Sequence, residues 1–215
     1  MLDATVRRLI DPPLNRAGRW LAARGAQADV VTLAGLALGL LAAGLIREGH
    51  ADLALLPLLL SRLADGLDGA VARAGRKSDF GGYLDIVADF LVYGAVPLAF
   101  IAAAPAANGA AGGYLLLSFY VNGASFLGFA ILAERHGLTT EKQGKKSLYF
   151  SDGLLEGTET ILFLCALCLW PAVFAPMCWA FGTLCFLTTA LRLGAARRIF
   201  GPASRPGVTR RRTPR

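Results

Sequence analysis

Long apolar stretches separated by short polar breaks give the chain the rhythm of membrane-crossing helices. From Val30 to Ile46 nearly every residue is Val, Leu, Ala, Gly or Ile, with Thr32 near the start. Arg47–His50 makes a polar break, and a second apolar stretch runs from Ala51 to Leu63. A third begins near Gly82 and stays apolar beyond Asp89 to about Ala104, a fourth covers roughly Gly113–Ala133, and the last two are about Thr160–Val173 and Pro176–Leu193. Runs of this length without period-two alternation predict helices in hydrocarbon rather than strands. The expected architecture is an all-α integral membrane protein with six transmembrane helices. The Ala-, Gly- and Pro-rich stretch between the third and fourth spans is expected to be a loop, and Glu134–Gly157 to be the longest polar connection.

Ahead of the first span the pattern changes. Arg7, Arg8, Arg16, Arg19 and Arg24 alternate with Leu2, Val6, Leu9, Ile10, Leu14, Trp20 and Leu21, interrupted by Pro12 and Pro13. This pattern predicts an amphipathic helix on the membrane surface, broken at the prolines, with Trp20 at headgroup level. Met1–Arg24 has no continuous apolar core, so no cleavable leader is expected.

Composition agrees with a membrane protein: 55% of the 215 residues are hydrophobic, only 17% are charged, and the mean hydropathy is +0.51. The net charge of +7 would suit nucleic acid, but the basic residues interleave with the apolar spans, and a membrane accounts for them better. The N-terminal arm holds five, the stretch around Arg62, Arg73, Arg76 and Lys77 four, the long connection four, and Arg192 to the end eight, leaving only Arg47 for the opposite side. Both termini are therefore expected in the cytoplasm, with the C-terminal RPGVTRRRTPR as a disordered tail drawn to anionic lipid. Cys165, Cys168, Cys178 and Cys185 all fall in apolar stretches and are expected to pack as small hydrophobes. His50 and His136 stand alone at span edges and are expected to be solvated.

Against this background the acids between positions 65 and 89 stand out. Asp65 and Asp68 are i,i+3, Asp85 and Asp89 are i,i+4, and each pair shares one face of its helix. Between them Ala74–Gly81 reads as a short turn joining antiparallel neighbours, which lets the carboxylates converge at one depth. Clustered anions need protons or cations, and an oxygen-liganded divalent metal is the natural occupant. Such a metal keeps positions open for phosphate oxygens, pointing to phosphoryl chemistry. Arg73 can hold a phosphate, while Gly69 and Gly82 remove side chains where a nucleotide or a neighbouring helix must approach. The plain alternative is that the acids snorkel, or pair with Arg62, Arg73 and Arg76.

The residues Asp65, Asp68, Gly69, Ala72, Arg73, Gly82, Asp85 and Asp89 follow the order of the pattern D-x2-D-G-x2-A-R-x8-G-x3-D-x3-D, with Gly82 taken as its second glycine. By this pattern the chain resembles the CDP-alcohol phosphotransferase (phosphatidyltransferase) family. The resemblance implies that CDP-diacylglycerol gives its phosphatidyl group to an alcohol and releases CMP. It implies that Asp65, Asp68 and Asp85 bind metal, with Asp89 as general base sharing in the metal site. It further implies that Asp65, Asp68, Gly69, Arg73 and Gly82 surround the CDP moiety, that two Mg²⁺ or Mn²⁺ ions serve the site, and that the protein is a homodimer. The expected domains are a juxtamembrane segment (1–27), the transmembrane catalytic domain (28–200) and the basic tail (201–215), in a bacterial inner membrane with the site facing the cytoplasm.

The acceptor is expected to contact the connection between Arg135 and Thr160. Lys145 and Lys146 there resemble the lysine-bearing segment of relatives that use phosphorylated acceptors, such as glycerol phosphate or inositol phosphate. Gly157 and Thr160 stand where those relatives carry arginines, and Glu134, Glu141, Asp152 and Glu156 balance the basic residues. A cytosolic loop with snorkelling lysines is the alternative there. Two other functions would also use such acids: a cation-coupled transporter with buried acids, and a Mg²⁺-dependent prenyltransferase. The first expects acids near the bilayer midplane and an inverted repeat, and the second expects a DDxxD cluster, which the chain lacks. No nucleic-acid partner is expected.

Overall fold

The computed structural model describes residues 3–137, 155 and 157–201, and the regular structure among them is entirely helical. The order is α1 (Asp3–Ala23), α2 (Ala28–Arg47), α3 (Ala51–Ala74), α4 (Asp79–Ala103), α5 (Pro105–Arg135), α6 (Gly157–Leu169) and α7 (Phe174–Phe200), with a 3₁₀ turn at Pro171–Val173 before α7. Among the described residues, α2, α4, α5 and the stretch Pro171–Phe200 are long and apolar enough to cross a membrane. α3 has 24 residues, but its apolar run stops where the acids begin. α6 has only 13 residues, about 20 Å at 1.5 Å per residue, against a hydrocarbon core of about 30 Å.

Several boundaries differ from the sequence expectation. α1 runs through Pro12 and Pro13 instead of breaking. Both prolines are exposed, so the carbonyls a turn earlier that lose their donors can be solvated. The expected loop after the third span is helix, because Pro105 opens α5 immediately after Ala104. Proline suits a first helical position and the alanines that follow are strong helix formers. The Asn108 side-chain amide donates to the Phe100 carbonyl at 2.8 Å, closing the end of α4. The break between the last two spans falls at Trp170, and Pro176 lies inside the first turn of α7 rather than before it.

The turn between α2 and α3 shows why so few residues suffice. Gly49 adopts φ +87°, its amide donates to the Ile46 carbonyl, and the His50 amide donates to Leu45, which is a Schellman closure. Gly25 ends α1 the same way, with φ +83°.

α2 packs against both α3 and α4, while α5 lies along α7. The α2 contact is made by small residues. A β-carbon at Gly39 would lie 2.5 Å from Val92 Cγ2 and 3.0 Å from Ser61 Oγ, and one at Gly35 would lie 3.0 Å from Ala64 Cβ. Beyond this small face, Ile46, Leu58, Val92, Val96, Leu115, Leu164 and Phe174 form the buried core. Phe163 of α6 stacks on Phe181 of α7 with ring centroids 4.0 Å apart. The cysteines are free, three of them buried in this packing. Leu33, Leu40, Leu56, Leu98 and Leu117 are exposed, as side chains facing lipid must be.

Gly39→Val should destabilise the bundle by about 1–3 kcal/mol, the usual cost of overpacking, because the added methyls collide with Val92 and Ser61. Thermal unfolding in detergent checks this; an unchanged midpoint would mean that α2, α3 and α4 do not meet there.

Candidate metal and nucleotide site

α3 and α4 are joined by the short connection Gly75–Ser78, and both pack on α2. Ser78 starts α4 by accepting the Gly81 amide on its hydroxyl at 2.9 Å, a stabilising N-cap. This turn places the acids of α3 beside those of α4. Carboxylate oxygens of Asp65, Asp85 and Asp89 all lie within 4.8 Å of one another.

Asp68 is one turn further along α3 and is held differently. It is buried, and Thr32 of α2 donates its hydroxyl to Asp68 Oδ2 at 2.5 Å. The same hydroxyl lies 3.1 Å from the Ala28 carbonyl, but the carboxylate is the stronger acceptor. The four acids thus divide into a triad and a separately anchored Asp68.

Arg62 enters the triad from α3. It is buried; its Nη1 donates to Asp89 Oδ1 at 2.5 Å and its Nη2 to Ser61 Oγ at 3.0 Å. The alternative of acids paired with arginine therefore holds for this one pair. Removing one partner of such a buried pair costs about 3–5 kcal/mol. Asp85 Oδ1 is buried without a hydrogen-bond partner among the described residues. A buried carboxylate oxygen with nothing to accept, beside two more carboxylates, is a donor set that fits a hard divalent cation.

Beside the acids lies a cleft of about 250 Å³, lined by Asp68, Gly69, Arg73, Gly82, Asp85 and their neighbours. A β-carbon at Gly69 would meet only Arg73 Nη1, at 3.2 Å, and one at Gly82 would meet nothing within 4 Å. These positions open the cleft rather than admit a neighbouring helix. Gly81 is the close-packed one: its β-carbon would lie 2.9 Å from Asp29 Oδ1 and 3.0 Å from Ser78 Oγ. The register of the motif also differs from the expected one. Gly81, not Gly82, stands three intervening residues before Asp85, and the interval from Arg73 to it is seven residues, one shorter than the pattern used above.

Two residues that were given no role in the sequence help to hold the site. One is Thr32. The other is Asn15 of α1, whose Oδ1 accepts from Arg73 Nη2 at 3.0 Å. α1 lies directly on the motif helix, since a β-carbon at Gly18 would come within 2.9 Å of Ala70 backbone and side-chain atoms. Their only sequence signal was a small polar residue inside an otherwise apolar or basic pattern. A further polar cluster joins α5 to α7, where buried Arg192 donates Nη1 to Asn122 Oδ1 at 2.9 Å and to Ser125 Oγ at 2.6 Å. Lys145 and Lys146, and the tail beyond Gly201, lie outside the described residues. His50 and His136 are exposed, with His136 resting against Phe200.

A family model described as CDP-alcohol phosphatidyltransferase matches residues 26–194. The chain is 47% identical over 193 residues to the inner membrane protein YnjF of Escherichia coli (strain K12), covering 90% of this chain and 94% of that one. It is 38% identical over 87 residues to the archaetidylinositol phosphate synthase of Pyrococcus horikoshii, covering 40% of this chain and 46% of that one. The fold is similar to that of the phosphatidylinositol phosphate synthase PgsA1 of Mycobacterium tuberculosis with CDP-DAG bound. The TM-score is 0.63 at 21% identity, covering 93% of this chain and 98% of the other. A second structure of that enzyme, in complex with manganese and citrate, gives a TM-score of 0.60 at 21% identity, covering 93% of each chain.

Thr32→Val keeps the shape but removes the donor to Asp68. It should lower stability by about 1.5–3 kcal/mol, the worth of a hydrogen bond to a charged group, and Thr32→Ser should restore it. Equal melting temperatures for wild type and Thr32→Val would show that the contact carries nothing.

Proposed function

Because the chain belongs to the CDP-alcohol phosphatidyltransferase family, we propose that it transfers a phosphatidyl group from CDP-diacylglycerol to an alcohol and releases CMP. The observation that carries this reading is the joining of the Asp65–Asp85–Asp89 triad to an open cleft bearing Gly69, Gly82 and Arg73. The PgsA1 structure with CDP-DAG bound, which shares the fold over 93% of this chain, supports the choice of donor.

Asp65, Asp68, Asp85 and Asp89 would hold the divalent metal, Mg²⁺ or Mn²⁺, as two ions, with Asp68 also bordering the cleft. The manganese in the second PgsA1 structure supports this reading. When bound, the ions offset the diphosphate charge and polarise its oxygens. The protein's own residues do the rest. Gly69 and Gly82 leave room for the CDP moiety, and Arg73, steadied by Asn15, faces its phosphates. Asp89 accepts the proton of the acceptor hydroxyl as that oxygen attacks the β-phosphorus. The bond from that phosphorus to the CMP oxygen breaks, and CMP leaves with the electron pair.

The site end of the bundle carries Arg73, Arg76, Lys77 and Arg135, and His136 meets Phe200 close to Arg197 and Arg198, whereas Arg47 lies at the far end of α2. We read α2–α7 as six spans, with the acids and both termini on the cytoplasmic side of a bacterial inner membrane and α1 on its surface. The name of the Escherichia coli relative supports the location. The donor's nucleotide and a water-soluble acceptor then meet at the membrane boundary while the acyl chains stay in lipid. The acceptor is a phosphorylated polyol, a choice supported by the names of the archaeal and mycobacterial relatives, and Lys145 and Lys146 contact it. The protein acts as a homodimer, on family grounds alone.

Asp65→Asn and Asp85→Asn should lose Mn²⁺ binding and CMP release together. Asp89→Asn should still bind CDP-lipid and metal while the chemical step falls by about 10²–10⁴-fold, the worth of a general base. Titration calorimetry beside CMP-release rates separates the two; wild-type turnover in Asp89→Asn removes the base from the mechanism. For the topology, single cysteines at 47 and 76 should label from opposite sides of sealed vesicles, and labelling from one side overturns the arrangement.

A further inference from the structure

Arg73, Arg76 and Lys77 line the cleft, and among the described residues only Arg73 of these has a hydrogen-bond partner. Its Nη2 donates to Oδ1 of Asn15 on α1 at 3.0 Å. Its Nη1 lies back over Gly69, one turn earlier on α3, where a β-carbon would stand 3.2 Å away. A guanidinium carries several N–H donors in a fixed plane, so the bond to Asn15 orients the group and leaves other donors for an anion. The partner is an amide and not a carboxylate. It holds the guanidinium without cancelling the charge that a phosphate would meet.

Asn15 is itself placed by helix packing. It shares one face of α1 with Leu14 and Gly18, while Gly66, Ala70 and Arg73 share one face of α3. A β-carbon at Gly18 would lie 2.6 Å from Ala70 Cβ, and one at Gly66 would lie 3.0 Å from Leu14 Cδ1. Contacts this close leave α1 little freedom to slide along α3, so the amide stands at a set height beside Arg73. A free arginine side chain has large rotamer entropy, and ordering it only when a ligand arrives weakens binding. Here the ordering is done by the fold. α1 ends at Ala23, before residue 26, where the match to the family model begins, so this contact comes from outside the matched region.

We infer that Asn15 is a positioning residue for the transfer: from α1 it holds the Arg73 guanidinium over Gly69 in the wall of the cleft, oriented for the diphosphate of the donor before the donor binds. α1 then serves the donor site directly. The inference rests on the transferase reading above and concerns which residue orients Arg73, not whether the cleft takes CDP.

The test measures CDP binding to the purified full chain in lipid nanodiscs with Mn²⁺, by titration calorimetry, across a double-mutant cycle of Asn15→Leu and Arg73→Ala. Leucine fills a similar volume and lacks the acceptor. Asn15→Leu should weaken CDP binding about 3–10-fold, the factor that corresponds to the net worth of one hydrogen bond, and should add nothing to the loss caused by Arg73→Ala. A purely structural role would weaken binding as much without Arg73 as with it. Unchanged or tighter CDP binding in Asn15→Leu, or the same loss in the Arg73→Ala background, overturns the inference and leaves the transferase reading standing. Wild-type CDP binding in Arg73→Ala also overturns it, since there would be no contact to orient. No CDP bound by the wild type overturns both. Melting temperatures show whether each variant is folded; should Asn15→Leu not fold, Asn15→Ala takes its place in the cycle and is judged by the same outcomes.

Discussion

The missing side chains at Gly35 and Gly39 on one face of α2 are the constraint from which the rest of the structure follows. With hydrogens there, α3 approaches through Ser61 and Ala64, and α4 through Val92, to distances that a β-carbon would turn into collisions. In lipid, helix association depends on such close packing, because water exclusion drives nothing between helices that hydrocarbon already surrounds. Once α3 and α4 both rest on α2, the short turn at Gly75–Ser78 keeps their acidic ends close together. Asp65 then meets Asp85 and Asp89, and Asp68 comes under Thr32. Packing by the smallest residues thus positions the most expensive ones.

That expense is electrostatic. Carboxylates in a membrane protein interior lose hydration that Coulomb attraction only partly replaces, and the cluster here has one buried guanidinium to answer several acids. An apolar replacement of similar volume would serve stability as well or better. The arrangement makes sense as an unfinished coordination shell, in which Arg62 and Thr32 satisfy some oxygens permanently and leave others, such as Asp85 Oδ1, to a ligand. Arg62 is then a stabilising partner for Asp89.

How much of this the sequence disclosed depended on the range of the interaction. Carboxylates at i,i+3 and i,i+4 declare a shared helix face through local geometry, and the turn between them is marked by glycine and charge. The apolar runs likewise announced the helices, though α5 begins at Pro105 where composition argued for a loop, since alanine and glycine look alike in a hydropathy pattern but differ in helix propensity. The continuity of α1 through two prolines was hidden because the exposure of those prolines is a tertiary fact. Thr32 and Asp68 are 36 residues apart, and Asn15 and Arg73 are 58 apart. Periodicity within a helix says nothing about such pairs. Between Gly81 and Gly82, sequence spacing and structure each distinguish the packed glycine from the open one, but only a residue-by-residue count reveals it.

The contact between α1 and the site also changes what an N-terminal surface helix means here. Its Gly18 lies on Ala70, its Leu14 comes within 3.0 Å of where a β-carbon on Gly66 would stand, and its Asn15 accepts from Arg73. A helix that merely floated at the interface would have no reason to present two small contacts and a polar one to the acid-bearing helix. Where α1 sits at a membrane surface, the depth of that surface and the orientation of Arg73 are mechanically linked through these contacts. Arg73, in the wall of the cleft, is steadied by this helix. Under the transfer proposed above, the same contacts would hold Arg73 at the depth of the donor's phosphates.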